Sequence, residues 1–256
     1  MKKHICILLV LLCLLLPACG TSDVLMPEAS QPTEAAVFAP EVPQPSTEPV
    51  HSALYLPGVP AEDVIMYFEE VCLDAEFADS GDPHLLQKWR IPICYTLYGN
   101  YTEADTAVLT EFSAWLNSIE GFPGIRPARE GDIETLRIYF CEETELAERM
   151  GEPFWGQDGA VRFWYDRDEI YNAIICCRSD LSQFTRNSVL LEELYNGLGP
   201  IQDTSLRPDS IIYSEFSEPQ QLTQIDELIL KLLYHPDLTC GMNRAQCAAA
   251  IRKLYY

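Results

Sequence analysis

Histidine and basic residues are scarce in this chain. Only His4, His51, His84 and His235 occur in 256 residues, and 17 Lys+Arg face 39 Asp+Glu, a formal charge of −22. The sequence has no C-x-x-C pair, no glycine-rich phosphate loop, no G-x-G-x-x-G fingerprint and no G-x-S-x-G elbow. Each absence closes a class. Without C-x-x-C there is no zinc knuckle. Without the glycine motifs there is no phosphate-cradling or dinucleotide turn. Without the elbow, a Ser-His-Asp triad through His235 has no support. A surface this acidic repels DNA, RNA and anionic lipid head groups, so nucleic acid is not an expected partner.

Met1-Lys2-Lys3, an apolar run from Ile5 to Leu16, and Pro17-Ala18-Cys19-Gly20 follow in order. A basic start, a short apolar core and a small residue before the cut site make a secretory signal, too short to span a bilayer as a mature helix. Leu16-Pro17-Ala18-Cys19 resembles a bacterial lipobox, which implies cleavage before Cys19 and acylation of its thiol. Residues 1–18 are then a lipoprotein signal peptide. Residues 19–58, rich in Pro, Ala, Ser, Thr, Glu and Gln, form an acidic tether that cannot bury enough surface to order itself. Residues 59–256 suit one domain. The expected address is the extracytoplasmic face of a bacterial cell membrane, held by lipid alone. Cleavage removes Lys2 and Lys3, so the mature chain is more acidic still.

The mature domain keeps Cys72, Cys94, Cys141, Cys176, Cys177, Cys240 and Cys247, an odd number, so at least one thiol has no partner within the chain. Cys94, Cys141, Cys176 and Cys177 lie in apolar strand-like runs and read as small buried hydrophobes. Cys240 and Cys247 flank a turn at a spacing that permits a disulfide.

Periodicity predicts a helix from Pro60 to about Ala78, a strand over Lys88–Tyr98, and a helix from an N-cap at Thr102 to about Ser118 with Val108, Leu109, Phe112, Trp115 and Leu116 inward. A strand over Leu136–Cys141 and a weak helix over Thr144–Met150 follow. Ala160–Asp166 and Glu169–Cys177 read as strands about a tight turn. Helices are predicted over Gln183–Leu198, over Gln224–His235 behind a Thr223/Asp226 capping box, and over Arg244–Leu254 behind Asn243 and Gln246. The class is α+β with a mixed sheet. The helix Gln183–Leu198 is expected to lie across the sheet through Phe184, Leu191, Leu194 and Leu198.

Leu190–Asp203, LLEELYNGLGPIQD, resembles the active-site helix of a zincin, H-E-x-x-H, in its metzincin form H-E-x-x-H-x-x-G-x-x-H. Aligned on Glu193 and Gly199, Glu192 and Asn196 stand for the first two histidines and Gln202 for the third, with Asp203 beside it. Ser210-Ile211-Ile212-Tyr213 is similar to the Met-turn of metzincins, with Ile212 for Met, and Ala160–Asp166 falls where the edge strand would lie. A closer resemblance rests on E-E-L-x-N-x-L-G-x-x-x-D, D-S-I-I-Y-S, L-T-x-x-D, L-L-Y-H-P and Gly241-Met242, with KWRIPI…LYGNYTEAD and LNSIEGFPGI upstream. These look like a bacterial family called domain of unknown function 2927, across most of residues 60–256. The resemblance implies a zincin-like (metzincin-like) fold and brings no known activity.

A zincin uses its Glu to polarise a zinc-bound water. Glu193 is the vestigial general-base position, and Glu192, Asn196, Gln202 and Asp203 are vestigial ligand positions. Zinc prefers His and Cys, so no catalytic residue, metal or cofactor is expected. An oxygen set of this kind suits Ca²⁺ or Mg²⁺ better than zinc. The plain alternative is a hydrogen-bonded polar patch of Glu192, Asn196 and Asp203, with Glu193 paired to an arginine such as Arg178. The expected function is a non-enzymatic, membrane-tethered module binding a peptide or protein. The alternative is a peptidase-like hydrolase with a non-standard metal or none.

Overall fold

The computed structural model describes residues 52–74, 85–151, 154–215 and 217–256. The expected signal peptide, Cys19, most of the expected tether and His84 lie outside the described residues. Within them, a six-stranded, mostly parallel sheet is packed by six helices. The order is α1 (Ala61–Leu73), β1 (Lys88–Trp89), β2 (Ile93–Gly99), α2 (Glu103–Leu116), β3 (Ile125–Pro127), β4 (Leu136–Cys141), α3 (Glu143–Met150), β5 (Gly159–Asp166), β6 (Glu169–Arg178), α4 (Gln183–Asn196), α5 (Gln224–Tyr234) and α6 (Arg244–Tyr255).

The sheet runs β1-β6-β4-β2-β3, all parallel, and β5 joins β6 antiparallel. The β5–β6 hairpin turns at Arg167 and Asp168, both in the left-handed region at φ 49° and 62°. That pair of angles is what a two-residue hairpin turn matched to strand twist requires. Side chains alternate across the sheet. Ile138, Phe140, Ala173, Ile175 and Cys177 join the main core with Leu109, Phe112 and Leu116 of α2 and Leu190, Leu191 and Leu194 of α4. Cys141, Ala160 and Cys176 face the other way and pack with Leu146 and Met150 of α3. The adjacent Cys176 and Cys177 therefore point into two different cores.

Four of the six helix starts among the described residues are fixed by side-chain caps. Thr102, Thr223 and Asn243 each close a capping box, with Asp105, Asp226 and Gln246, and the Ser182 hydroxyl accepts from the Thr185 amide. Such caps satisfy amides that have no partner within the helix.

Three expectations are corrected, and the disulfide that the spacing of Cys240 and Cys247 permits is not formed. Lys88–Tyr98 is two strands, not one. Pro92 cannot donate to a ladder, and β1 pairs with β6 while β2 pairs with β3 and β4. Phe184 is 55% exposed on the first turn of α4, while Leu191, Leu194 and Leu198 are buried as expected. Glu193 does not pair with Arg178, whose guanidinium goes to Asp158 at 3.1 Å and Asp180 at 2.7 Å. Cys240 and Cys247 are free thiols. Cys247 is directed into the core from α6, and the Cys240 Sγ faces the Lys88 carbonyl at 3.8 Å.

Candidate functional site: an acid pocket between helix α4 and edge strand β5

Helix α4 is held at both ends. At its start, Arg186 Nε donates to Asp105 Oδ1 at 3.0 Å, and Nη1 donates to the Ser179 carbonyl at 3.0 Å. At its end, the Trp89 indole N–H donates to the Gly197 carbonyl at 2.8 Å and the Tyr234 hydroxyl to the Leu198 carbonyl at 2.7 Å. These bonds satisfy carbonyls that the helix cannot. The chain then turns at Gly199, φ 133°, where a Cβ would lie 2.8 Å from the Gln87 carbonyl oxygen. Only glycine fits that approach.

The turn sends residues 200–203 back across α1, where Ile201 N donates to the Val71 carbonyl at 2.8 Å. Thr204 and Tyr213 then form an isolated bridge, with Thr204 N donating to the Ile212 carbonyl at 2.8 Å. That loop forms the third wall of a pocket of about 230 Å³. The first wall is one stripe of α4: Thr185, Ser188, Val189, Glu192 and Glu193. Their spacing of 3, 4, 7 and 8 residues places them on one face. The second wall is Gly156, Gln157, Asp158 and Gly159, leading into β5. Asp203, Tyr213, Ser214, Glu215 and Ser217 complete it.

Gly159 sets the width of this seam. A Cβ there would lie 2.5 Å from Val189 Cγ1 and 2.7 Å from Glu193 Oε1. The Glu193 carboxyl thus sits directly against bare β5 backbone.

The pocket is acidic and has no basic side chain among its walls. Glu193 is 7% exposed. Burial first, then Glu192 and Asp203, push its carboxyl well above the ordinary carboxylate range. Burial, then Asp203 and Asp158, raise Glu192 to about 8. Both carboxyls therefore favour the protonated form at neutral pH. Among the described residues, no hydrogen bond or ion pair engages either one. Asp158 is held by Arg178. The Ser188 hydroxyl, on a residue 2% exposed, also has no hydrogen-bond partner.

The structure brings Glu192, Glu193 and Asp203 to one pocket, while Asn196 and Gln202 do not line it. The Asn196 Oδ1 is buried without a hydrogen-bond partner. A zinc centre needs several nitrogen, sulfur or oxygen donors converging on one point. Among the described residues no three His, Cys, Asp or Glu side chains lie close enough to hold a metal ion. The residues at the zincin-aligned positions do not fit zinc. Sequence reasoning missed Ser188 and the Gly156–Gly159 wall. The i−4 spacing of Ser188 from Glu192 was the available signal for the first; the second depends on how β5 lies against α4.

Fold and pocket together define an α/β domain with an acid-lined seam between one helix and an antiparallel edge strand. The chain belongs to the family described as "Protein of unknown function (DUF2927)", whose model matches residues 61–253. Comparison with curated proteins and with solved structures gives no match.

Proposed function

We propose that this chain is an extracytoplasmic, lipid-anchored protein whose zincin-like domain has lost its metal ligands and binds an extended peptide or a strand of a protein partner. The observation that carries this reading is the position of β5. It pairs with β6 on one side only, and its first residue forms a wall of the acid pocket. An unpaired strand edge offers a row of N–H and C=O groups, and an extended peptide that adds to it gains main-chain bonds while neighbouring pockets read its side chains. The bulge between Trp164 and Tyr165 limits that edge to the stretch nearest the pocket.

The zincin-like reading is supported by the order of elements: parallel strands, one antiparallel edge strand, then a helix carrying Glu192 and Glu193 that ends at Gly199. Membrane attachment rests on the Leu16–Cys19 lipobox and the tether. Among the described residues no helix is long and apolar enough to cross a membrane.

The test is amide hydrogen exchange of the full-length protein with and without a library of blocked strand-forming peptides. Bound peptide should slow exchange in Gly159–Phe163 and leave the β2–β3 side unchanged. Stoichiometric metal in the purified protein, together with peptide cleavage abolished by Glu193→Gln, would overturn the reading in favour of a hydrolase.

A further inference from the structure

The seam between α4 and β5 holds an electrostatic deficit that the fold itself does not fill. Glu192 and Glu193 are adjacent and unbonded among the described residues, and Arg178, the partner of the pocket's Asp158, is also committed to Asp180. Ser188 precedes them by one helical turn and presents an unpartnered hydroxyl from a residue that is 2% exposed. A helical serine ordinarily bonds back to a carbonyl of the preceding turn. Here it does not, and it lines the same pocket. Buried polar atoms left without partners are uncommon and call for an occupant.

We infer that the pocket takes a primary ammonium group, carried by a lysine side chain of an extended peptide lying along β5. This rests on the edge-strand reading above. The chemistry follows from the acceptors. An ammonium has three donors and no acceptor. Ser188, Glu192 and Glu193 stand at positions i, i+4 and i+5 of α4, and all three residues line the pocket. A metal ion is a poorer occupant, because no three acidic, histidine or cysteine side chains converge closely enough to hold one among the described residues. A hydroxyl and two carboxyls suit a hydrogen-bonding cation, which donates to acceptors of unequal charge and spacing. The volume, about 230 Å³, admits an aminobutyl chain. Gly159 has no side chain, so the first residue of β5 lies directly against Val189 and Glu193, and a peptide along that strand passes beside the acids.

Calorimetry on the full-length protein in detergent tests this with two blocked pentapeptides, threonine-valine-lysine-valine-threonine and its norleucine counterpart, and with n-butylammonium. The lysine peptide should bind about tenfold or more tightly than the norleucine peptide, because the entering ammonium favours loss of a carboxyl proton to solvent and leaves a desolvated charge pair. Glu192→Gln and Glu193→Gln should each erase most of that preference, and Ser188→Ala should reduce it several-fold. Glu120→Gln, exposed outside the pocket, should leave it unchanged. If Glu193→Gln fails to fold, Glu192→Gln and Ser188→Ala carry the test.

Equal binding of the two peptides would overturn the ammonium assignment and leave the strand-edge reading standing; binding of neither would overturn both. A lysine preference that survives Glu192→Gln and Glu193→Gln would trace it to the acidic surface at large and overturn the site. Butylammonium bound as tightly as the peptide would support the site and transfer it from peptides to free amines. Calcium bound one to one and displacing the lysine peptide would overturn the proposal in favour of a cation centre.

Discussion

Arg186 Nε donates to Asp105 Oδ1 at 3.0 Å, and the two side chains are 6% and 0% exposed. The pair ties the start of α4 to the capping box of α2, because Asp105 Oδ2 is the same carboxylate's bond to Thr102 N at 2.7 Å. Removing one partner strands the other charge away from water. Arg186→Met should cost about 3–5 kcal/mol in denaturant titration. The double change with Asp105→Leu should cost less than the sum of the two single changes. A loss under about 1 kcal/mol for Arg186→Met would show that water reaches Asp105.

Gly159→Ala should destabilise the domain by about 1–3 kcal/mol, the range for overpacking a close contact. The new methyl would meet Val189 Cγ1 and the Glu193 carboxyl. It should also narrow the pocket, so any ligand of the seam should bind more weakly. Unfolding and binding measured on one sample check both effects, and an unchanged midpoint would mean that α4 and β5 separate readily.

Glu192 gives stability a pH dependence with a definite sign. Its carboxyl ionises near 4.5 in an exposed setting and near 8 in the fold. Between those values the native state holds a proton that the unfolded chain has released. Stability is therefore full at low pH and falls as pH rises toward about 8. Glu193 acts in the same sense. Buried Lys88, lowered by burial to about 8, acts only above that value and in the opposite direction. Urea titrations at about pH 5 and about pH 7.5 should show the decline, and Glu192→Gln should flatten part of it. Identical profiles for variant and wild type would remove Glu192 as the source.

On the proposed lipid anchoring, Cys19→Ala should release the protein from membranes or leave its signal uncut, because stable attachment would need the acyl chains that Cys19 carries. Fractionation with membranes as in the wild type would show that something other than lipid holds it.

Much of the fold was legible from the chain. Leu136–Cys141 and the capping boxes at Thr223 and Asn243 fall where periodicity and cap residues put them. These signals are local, so they survive without tertiary information. The break at Arg90–Pro92 was not read, because Lys88-Trp89 is strand only through its pairing with β6. β3 was missed for the same reason: three residues, Ile125–Pro127, have no period of their own. Phe184 satisfies a helical period yet lies outside the sheet's reach, so spacing alone assigned it to the core. In the site, Glu192, Glu193 and Asp203 were readable from the motif-like spacing around Gly199. Their partners across the seam were not, since Gly156–Gly159 meet α4 only once the antiparallel strand is folded against it.

One carboxylate decides which part of the pocket can move. Asp226 accepts from Thr223 N at 3.0 Å and Thr223 Oγ1 at 2.8 Å, from Ser210 Oγ at 2.7 Å, from Ile211 N at 3.2 Å and from the Tyr67 hydroxyl at 3.3 Å. Helix α5, helix α1 and the loop that approaches the pocket are thus moored to a single post. Ser210 and Ile211 cannot shift without unseating the cap of α5. Tyr213 and Ser214 are tied a second time, to Thr204, through the bridge and the Ser214 N bond to the Thr204 carbonyl at 3.0 Å. Of that wall, Glu215 and Ser217 lie beyond both moorings, so breathing of the seam should begin there, like a door hung on one fixed jamb.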